Sequence, residues 1–204
     1  MPLTFFIDTD GSRKAVSPSN PIPTTGAISS AIPTGNNTIG LVGGNQIAVA
    51  VELTRPADTT AYAALDSISN STSAPTVLNF ADIFRAANGT GYITKAELWT
   101  DNKATTARIR AHIYNATVTP ANDNSSFLLL YANKAIKQGH IDLPALATED
   151  PTNSTGAYAL NSTIRLAVDA ASEDTDLYVS LETLDAFTPA SGQKFYLKLT
   201  MECN

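Results

Sequence analysis

Two histidines, His112 and His140, are the side chains best suited to acid–base chemistry or metal binding near neutral pH. His112 lies in the alternating stretch 107–115, on the side that also carries Arg110 and Tyr114, whereas His140 follows a glycine in an expected loop. A metal site would need further ligands at suitable spacing, and the sequence predicts none beside either histidine. We therefore expect both histidines to be ordinary surface residues.

Two groups of carboxylates have the composition of a cation site. The stretch "DTDGS" at 8–12 is similar to the opening of a calcium loop, but the next acid after it is Glu52. Glu173, Asp174 and Asp176 precede an expected strand. Both groups are typical of turns, and we predict no metal and no cofactor.

Motifs of the common enzyme classes are missing from the chain. It contains no Gly-x-Ser-x-Gly elbow, His-Glu-x-x-His pair, phosphate-binding Gly-Lys-Ser/Thr loop or Gly-x-Gly-x-x-Gly turn. Glycosidase carboxylates converge only in space, so a sequence does not reveal them. Trp99 is the only tryptophan that could stack on a sugar. We predict no catalytic residue and no enzymatic activity.

The elements that would position these residues are strands. From residue 46 onward apolar and polar residues alternate, which is typical of antiparallel strands with one buried face. The expected strands are 47–54, 76–83, 91–100, 107–115, 127–131, 163–168, 176–184 and 194–202, with a short one near 140–143. Residues 100–106 are expected to form a hairpin, and 59–67 could form one helical turn. The pattern predicts an all-β, antiparallel two-sheet sandwich of jelly-roll type over 46–204.

The residues before this domain have a different character. No Asp, Glu, Lys or Arg occurs between Ala15 and Val51, and prolines and glycines interrupt the stretch throughout. We expect residues 1–45 to form an extended arm laid along a partner surface; a flexible tether is the alternative. The apolar residues expected to contact the partner are Val16, Ile22, Ile28 and Ile32. Phe5, Phe6 and Ile7 either dock into a partner groove or form a core-packed first strand.

Charge and composition exclude several classes of partner. The formal net charge is −6 and the basic residues are scattered, which argues against nucleic acid. The single cysteine, Cys203, rules out a disulfide framework. The first residues lack a signal-peptide pattern, and the longest apolar run, at 47–51, is too short for a membrane helix. We therefore expect synthesis in a host cytoplasm and no membrane partner.

Four stretches resemble one family. "AVSPSNPIPT" (15–24) is similar to a segment near the N-termini of tailed-bacteriophage virion proteins, and "VELTRPADTTAYAALDSI" (51–68) resembles a phrase that opens their β-rich domains. "GYITKAELWTDNKATTARIRAHIYNATVTPANDNSSF" (91–127) and "FTPASGQKFYLKL" (187–199) resemble later parts of the same family. Leu65 stands where the family phrase has glycine.

The resemblance implies a capsid decoration or cement protein on the outer capsid surface of a virion. It implies a homotrimer that binds and stabilises the lattice of the major capsid protein. In that setting Arg55 would pair with a carboxylate of a neighbouring copy, and the loop carrying Tyr62 would pack against that copy. The alternatives are a tail, fibre-base or baseplate component, and a carbohydrate-binding module with a groove of aromatics and paired acids.

Overall fold

The computed structural model describes residues 5–7, 11, 13–15 and 46–204. The chain divides into two units, residues 1–42 and 43–204. In the first unit β1 (Phe5–Ile7) pairs antiparallel with β2 (Arg13–Ala15), so the chain reverses direction between the two strands. Gly11 lies in this reversal with φ +80°, a conformation that favours glycine.

The second unit contains two five-stranded antiparallel sheets. The strands of sheet I are β3 (Gln46–Thr54), β6 (Thr90–Thr100), β9 (Ala157–Asn161), β10 (Leu166–Asp169) and β12 (Lys194–Cys203). Their order is β10-β6-β12-β3, and β9 also pairs with β6. The strands of sheet II are β4 (Ser67–Ile68), β5 (Leu78–Phe80), β7 (Ile109–Tyr114), β8 (Lys137–Leu143) and β11 (Leu177–Thr183). Their order is β4-β11-β7-β8, and β5 also pairs with β11.

The two sheets pack face to face around one apolar core, which confirms the all-β sandwich. Sheet I contributes alternate residues of β12, which are fully buried as the pattern predicts: Phe195, Leu197, Leu199 and Met201. Sheet II contributes the alternate residues of β7: Ile109, Ala111 and Ile113. Burying such side chains stabilises the fold by about 1.5–3 kcal/mol each. In the part of the chain that the structure describes, no helix is long and apolar enough to cross a membrane.

A bulge in β6 changes which side chains reach the core. Met201 of β12 is opposite Ile93, whereas the preceding Thr200 is opposite Lys95, so Thr94 is an extra residue in β6. Strict alternation would place Ile93 and Ala96 on opposite faces, yet both are buried. The regular alternation expected over 91–100 is therefore interrupted, because a bulge shifts the face of every later side chain.

The connections between strands differ from the expectation. Residues 100–106 do not form a hairpin, because β6 and β7 lie in different sheets and this segment crosses between them. The segment joining β11 to β12 crosses in the same way. The buried Gln193 side chain ties both crossings together by donating to the hydroxyls of Thr100 (2.7 Å) and Thr105 (2.9 Å).

Further local expectations are corrected. Residues 127–131 are not a strand: the chain runs without ladder pairing into a 3-10 helical turn, Tyr131–Ala135. Residues 59–67 form no helical turn, and Leu65 instead adopts φ 72°. The strand β9 lies in a part of the chain for which the sequence predicts no strand. The short strand expected near 140–143 is longer and begins at Lys137.

Candidate functional site

His112 is a buried residue, which overturns its expected place on the surface. Its ring is stacked on Phe127, with 4.1 Å between the centroids and 13° between the planes. The segment that follows β7 returns over the part of the outer face of sheet II that carries His112, and Phe127 N–H donates to the Leu65 carbonyl beside β4 (2.8 Å). Tyr114 is buried as well. His140 lies in β8, directly opposite His112, and is exposed as expected.

Hydrogen bonds fix the tautomer of His112. Lys137 Nζ lies 2.9 Å from Nδ1, and because an ammonium group only donates, Nδ1 must accept. The ring proton is therefore on Nε2, which donates to Glu182 Oε2 at 2.9 Å. Burial, together with the positive charge of Lys137, lowers the pKa of His112 to about 3, so the ring is neutral at pH 7. Burial also raises the pKa of Glu182.

Ser180 lies opposite His112 on β11, so the three residue types of a hydrolytic triad meet on one face of sheet II. Their geometry does not support nucleophilic catalysis. Both ring nitrogens of His112 are engaged by Lys137 and Glu182, which leaves none to accept a proton from Ser180. The Ser180 hydroxyl is buried and has no hydrogen-bond partner among the residues that the structure describes. The cluster instead supports the segment that covers it.

A second buried cluster surrounds Arg55, at the end of β3. Its guanidinium donates to Asp123 Oδ2 at 2.7 Å and also bonds the Tyr62 hydroxyl. Tyr62 donates to Asp123 Oδ1 at 2.6 Å, and the backbone N–H of Ser69 donates to the same oxygen at 2.9 Å. Burial and the bond to Asp123 raise the pKa of Tyr62. The carboxylate that pairs with Arg55 thus belongs to the same chain, which corrects the expected pairing with a neighbouring copy.

Beyond Phe127 the chain presents an exposed apolar strip, residues 128–131. Leu128, Leu129, Leu130 and Tyr131 are between 43% and 81% exposed, although they follow one another directly. The strip is held at one end by the stacking of Phe127 on His112. At the other end it enters the 3-10 turn, and the carbonyl of Ile136, which follows that turn, accepts from Asn115 N–H next to β7 (2.9 Å). Contiguous exposed apolar side chains of this kind mark interaction surfaces.

On the outer face of sheet I, three aromatic side chains form a row across neighbouring strands. Tyr196 of β12 lies opposite Trp99 of β6, which in turn lies opposite Tyr158 of β9. The rings of Trp99 and Tyr158 are in contact, with 4.4 Å between centroids, and Tyr158 donates a hydrogen bond to Glu97 (3.2 Å). Trp99 and Tyr196 remain nearly half exposed.

These aromatics form the floor of a groove of about 480 Å³. The segment 147–156 forms one wall, fixed by reciprocal backbone bonds between Ala147 and Tyr158 (2.9 and 3.0 Å). The opposite side carries the ion pair of Lys194 with Glu52, at 2.8 Å. The other polar lining residues include Asp101, Glu149, Asn153, Ser154 and Thr155.

The acidic group at 173–176 is a turn, as the sequence predicts. Asp174 Oδ1 accepts the backbone N–H groups of Thr175 (2.7 Å) and Asp176 (3.1 Å). Asp176 accepts from the amide of Asn79 and the backbone of Asp82, both at 2.9 Å. Among the described residues, no three His, Cys, Asp or Glu side chains are grouped so as to hold a metal ion.

Of the residues expected to bind a partner, Arg55 and Tyr62 lie within the described part of the second unit, where they contact each other and are both buried. Phe5, Phe6 and Ile7 form β1, of which the structure describes the backbone alone. Val16, Ile22, Ile28 and Ile32 lie outside the described residues. The sequence predicts neither the exposed apolar strip nor a role for Tyr158. The one signal for the groove in the sequence is that Trp99 and Tyr196 alternate outward on their strands.

Comparison with protein-family models gives no match for this chain, and comparison with curated proteins gives none either.

Proposed function

We propose that this protein is a structural component of a tailed-bacteriophage particle. It is a decoration or cement protein that binds the major capsid protein on the outer surface of the capsid and stabilises the lattice. The observation that carries the proposal is the exposed apolar strip at 128–131, which is pre-shaped for contact and has no role in the core of its own domain.

The rigid ends of the strip favour a binding role. Leu128, Leu129 and Leu130 are held between Phe127 and the turn at Tyr131–Ala135, so little conformational freedom is lost when a partner covers them. Three leucines and a tyrosine in water are unfavourable for an isolated domain, and covering them contributes on the order of 25 cal/mol per Å² of apolar area. Because the contact is apolar, the binding should persist at physiological salt.

The strand order of the sandwich is consistent with such a role. If the broken pairs β4/β5 and β9/β10 each count as one position, each sheet has four positions. Successive positions then alternate between the sheets, except that β7 and β8 are neighbours in sheet II, as in a jelly roll. Jelly rolls recur in viral capsid proteins. We include the jelly-roll topology and a homotrimeric assembly in the proposal, with self-contact at the loop carrying Tyr62.

Co-sedimentation with empty heads, assembled from the major capsid protein of the phage that encodes the chain, tests the proposal. The full chain should sediment with heads, and Leu128→Ser with Leu129→Ser should weaken that binding about ten-fold or more. Leu160→Ser, a change of another exposed leucine, is the matched control and should bind like the wild type. Binding to isolated tails and not to heads, or undiminished binding of the double variant, contradicts the proposal.

Light scattering of the full chain tests the assembly separately. A homotrimer at micromolar concentration is expected, and a stable monomer would contradict that part of the proposal. The head-binding result does not depend on this measurement.

A further inference from the structure

We propose that the groove on the outer face of sheet I binds a neutral saccharide, with Trp99 and Tyr196 as the stacking surface and Tyr158 as its support. This site lies on sheet I, whereas the apolar strip follows the segment that covers sheet II. The inference therefore does not rest on the capsid role.

The aromatic row is built as a rigid platform. The three rings project from three neighbouring strands of sheet I, β12, β6 and β9. The strand register places Tyr196, Trp99 and Tyr158 side by side. Trp99 cannot turn toward Tyr158 without collision, because their centroids are already 4.4 Å apart. A platform held in this way offers its ring faces to a ligand at little cost in side-chain entropy. Two of the rings keep nearly half of their surface open to solvent.

The polar residues around the platform match the hydroxyl groups of a sugar. A pyranose ring has an apolar face of C–H groups, which packs on an aromatic ring, and a rim of hydroxyls that both donate and accept hydrogen bonds. The groove offers acceptors in Glu52, Asp101 and Glu149 and donors in Lys194 and Asn153. Concave sites with an apolar floor and a few placed polar groups are typical of small-ligand binding.

Charge selects among ligands that stack on aromatic rings. Three carboxylates against one ammonium make the lining acidic, which disfavours nucleotides, sialic acids and uronic acids. A proline-rich peptide would also pack on Trp99 and Tyr196, but proline has no backbone N–H to donate. Its prolines could therefore offer no N–H to Glu149 or to the second carboxylate oxygen of Asp101, whose Oδ1 accepts from Lys194 N–H (3.0 Å), whereas sugar hydroxyls can donate to both. These arguments favour a neutral saccharide.

Trp99 makes the test direct, because it is the only tryptophan in the chain and its fluorescence reports on the groove alone. The full chain, fluorescently labelled, is first applied to an array of immobilised neutral and acidic glycans. The best neutral oligosaccharide is then titrated in solution while the intrinsic Trp99 emission is followed. We expect a saturable change with a dissociation constant of about 0.1–10 mM, as suits an open groove.

Tyr196→Ala should weaken the binding about ten-fold or more, because it removes one stacking surface and leaves Trp99 as the reporter. Tyr131→Ala removes an exposed tyrosine from the apolar strip and is the matched control; it should titrate like the wild type. Circular dichroism and unfolding curves establish that both variants fold.

Several results would overturn the inference. One is the absence of any bound neutral glycan on the array, and another is a Tyr196→Ala variant that titrates like the wild type. Saturation by an acidic glycan or by a proline-rich peptide, with none by neutral sugars, would also overturn it. Head binding measured on the same Tyr196→Ala sample should be unchanged, so failure of one idea is distinguishable from failure of the other.

Discussion

Phe127 covers His112 by stacking on its ring, with 4.1 Å between the centroids. This one contact joins two features of the domain. Beneath it lies the buried chain of hydrogen bonds from Lys137 through His112 to Glu182, and beyond it begins the exposed apolar strip at 128–131. The contact therefore both excludes water from the charged groups and fixes the start of the strip.

Phe127→Ala should destabilise the fold by about 2 kcal/mol, because it removes an aromatic contact and opens the histidine cluster to water. Urea unfolding measures the loss. Hydrogen exchange should also quicken at the Phe127 amide, which now donates to the Leu65 carbonyl. Leu128→Ala, a change of the exposed neighbouring residue, should leave stability within about 0.5 kcal/mol of the wild type. A loss no greater for Phe127→Ala than for Leu128→Ala would contradict the covering role.

Stability should fall as the pH drops from 7 to 5. The pKa of His112 is lowered to about 3 in the fold and is about 6.5 in the unfolded chain. Between those values the unfolded chain takes up a proton that the folded protein does not, so the stability is complete above pH 6.5 and is lost as the pH falls toward 3. The raised pKa of Glu182 acts in the opposite direction and offsets part of the loss. We expect a net decrease of about 1–2 kcal/mol between pH 7 and pH 5.

Urea unfolding at several pH values measures this decrease. His112→Gln removes the titrating group and should show less than half of the change, although it is less stable at pH 7. His140→Gln alters the exposed histidine opposite and should keep the slope of the wild type. An equal slope in the His112→Gln variant would show that another group is responsible.

Asp123→Asn should destabilise the protein by about 3 kcal/mol or more. The change removes the charge that pairs with Arg55, whose guanidinium side chain is fully buried, and an unpaired buried charge is costly. Asp58 lies 3.5 Å from the same guanidinium but is partly exposed, so Asp58→Asn is the matched control and should change stability little. Chemical unfolding compares the two, and similar small effects would mean that Asp123 does not hold Arg55 in place.

Leu65→Gly should stabilise the fold by about 0.5–1 kcal/mol. Leu65 adopts φ 72°, which is unfavourable for a residue with a Cβ atom, and its exposed side chain contributes little to the core. Leu160→Gly, an exposed leucine inside β9, is the control and should destabilise, because strand backbone suits leucine better than glycine. Thermal unfolding measures both. A lower melting temperature for Leu65→Gly would falsify the strain argument.

The sequence predicts correctly those strands in which apolar and polar residues alternate strictly. The alternation arises because one face of each strand must be buried. β3, β7 and β12 are of this kind. The prediction of a strand at 127–131 is wrong, because a continuous run of apolar residues shows no periodicity by which a strand could be told from an exposed turn. The sequence also fails for His112, because alternation places a side chain outside the core but does not reveal that a later segment covers it.

The candidate sites depend on contacts between distant parts of the chain. Trp99 and Tyr196 are recognisable as outward-facing, but their meeting with Tyr158 follows from the pairing of β6 with β12 and β9. The expected hairpin at 100–106 is wrong for the same reason. A polar connection has the same kind of sequence whether the next strand pairs with the previous one or lies in the other sheet. Arg55 likewise finds Asp123 through the fold, not through local spacing.

The position of β12 between β3 and β6 governs the time at which this domain can fold during synthesis. Thr54 of β3 pairs with Lys194 of β12, so β3 is synthesised early but cannot pair with β12 until most of the domain has been translated. Among the strands that the structure describes, β12 is the one that pairs with β3, and it holds Ile47, Val49 and Val51 against the core. Closure of so long a loop is slow, so we expect the apolar face of β3 to stay exposed to solvent until late in synthesis.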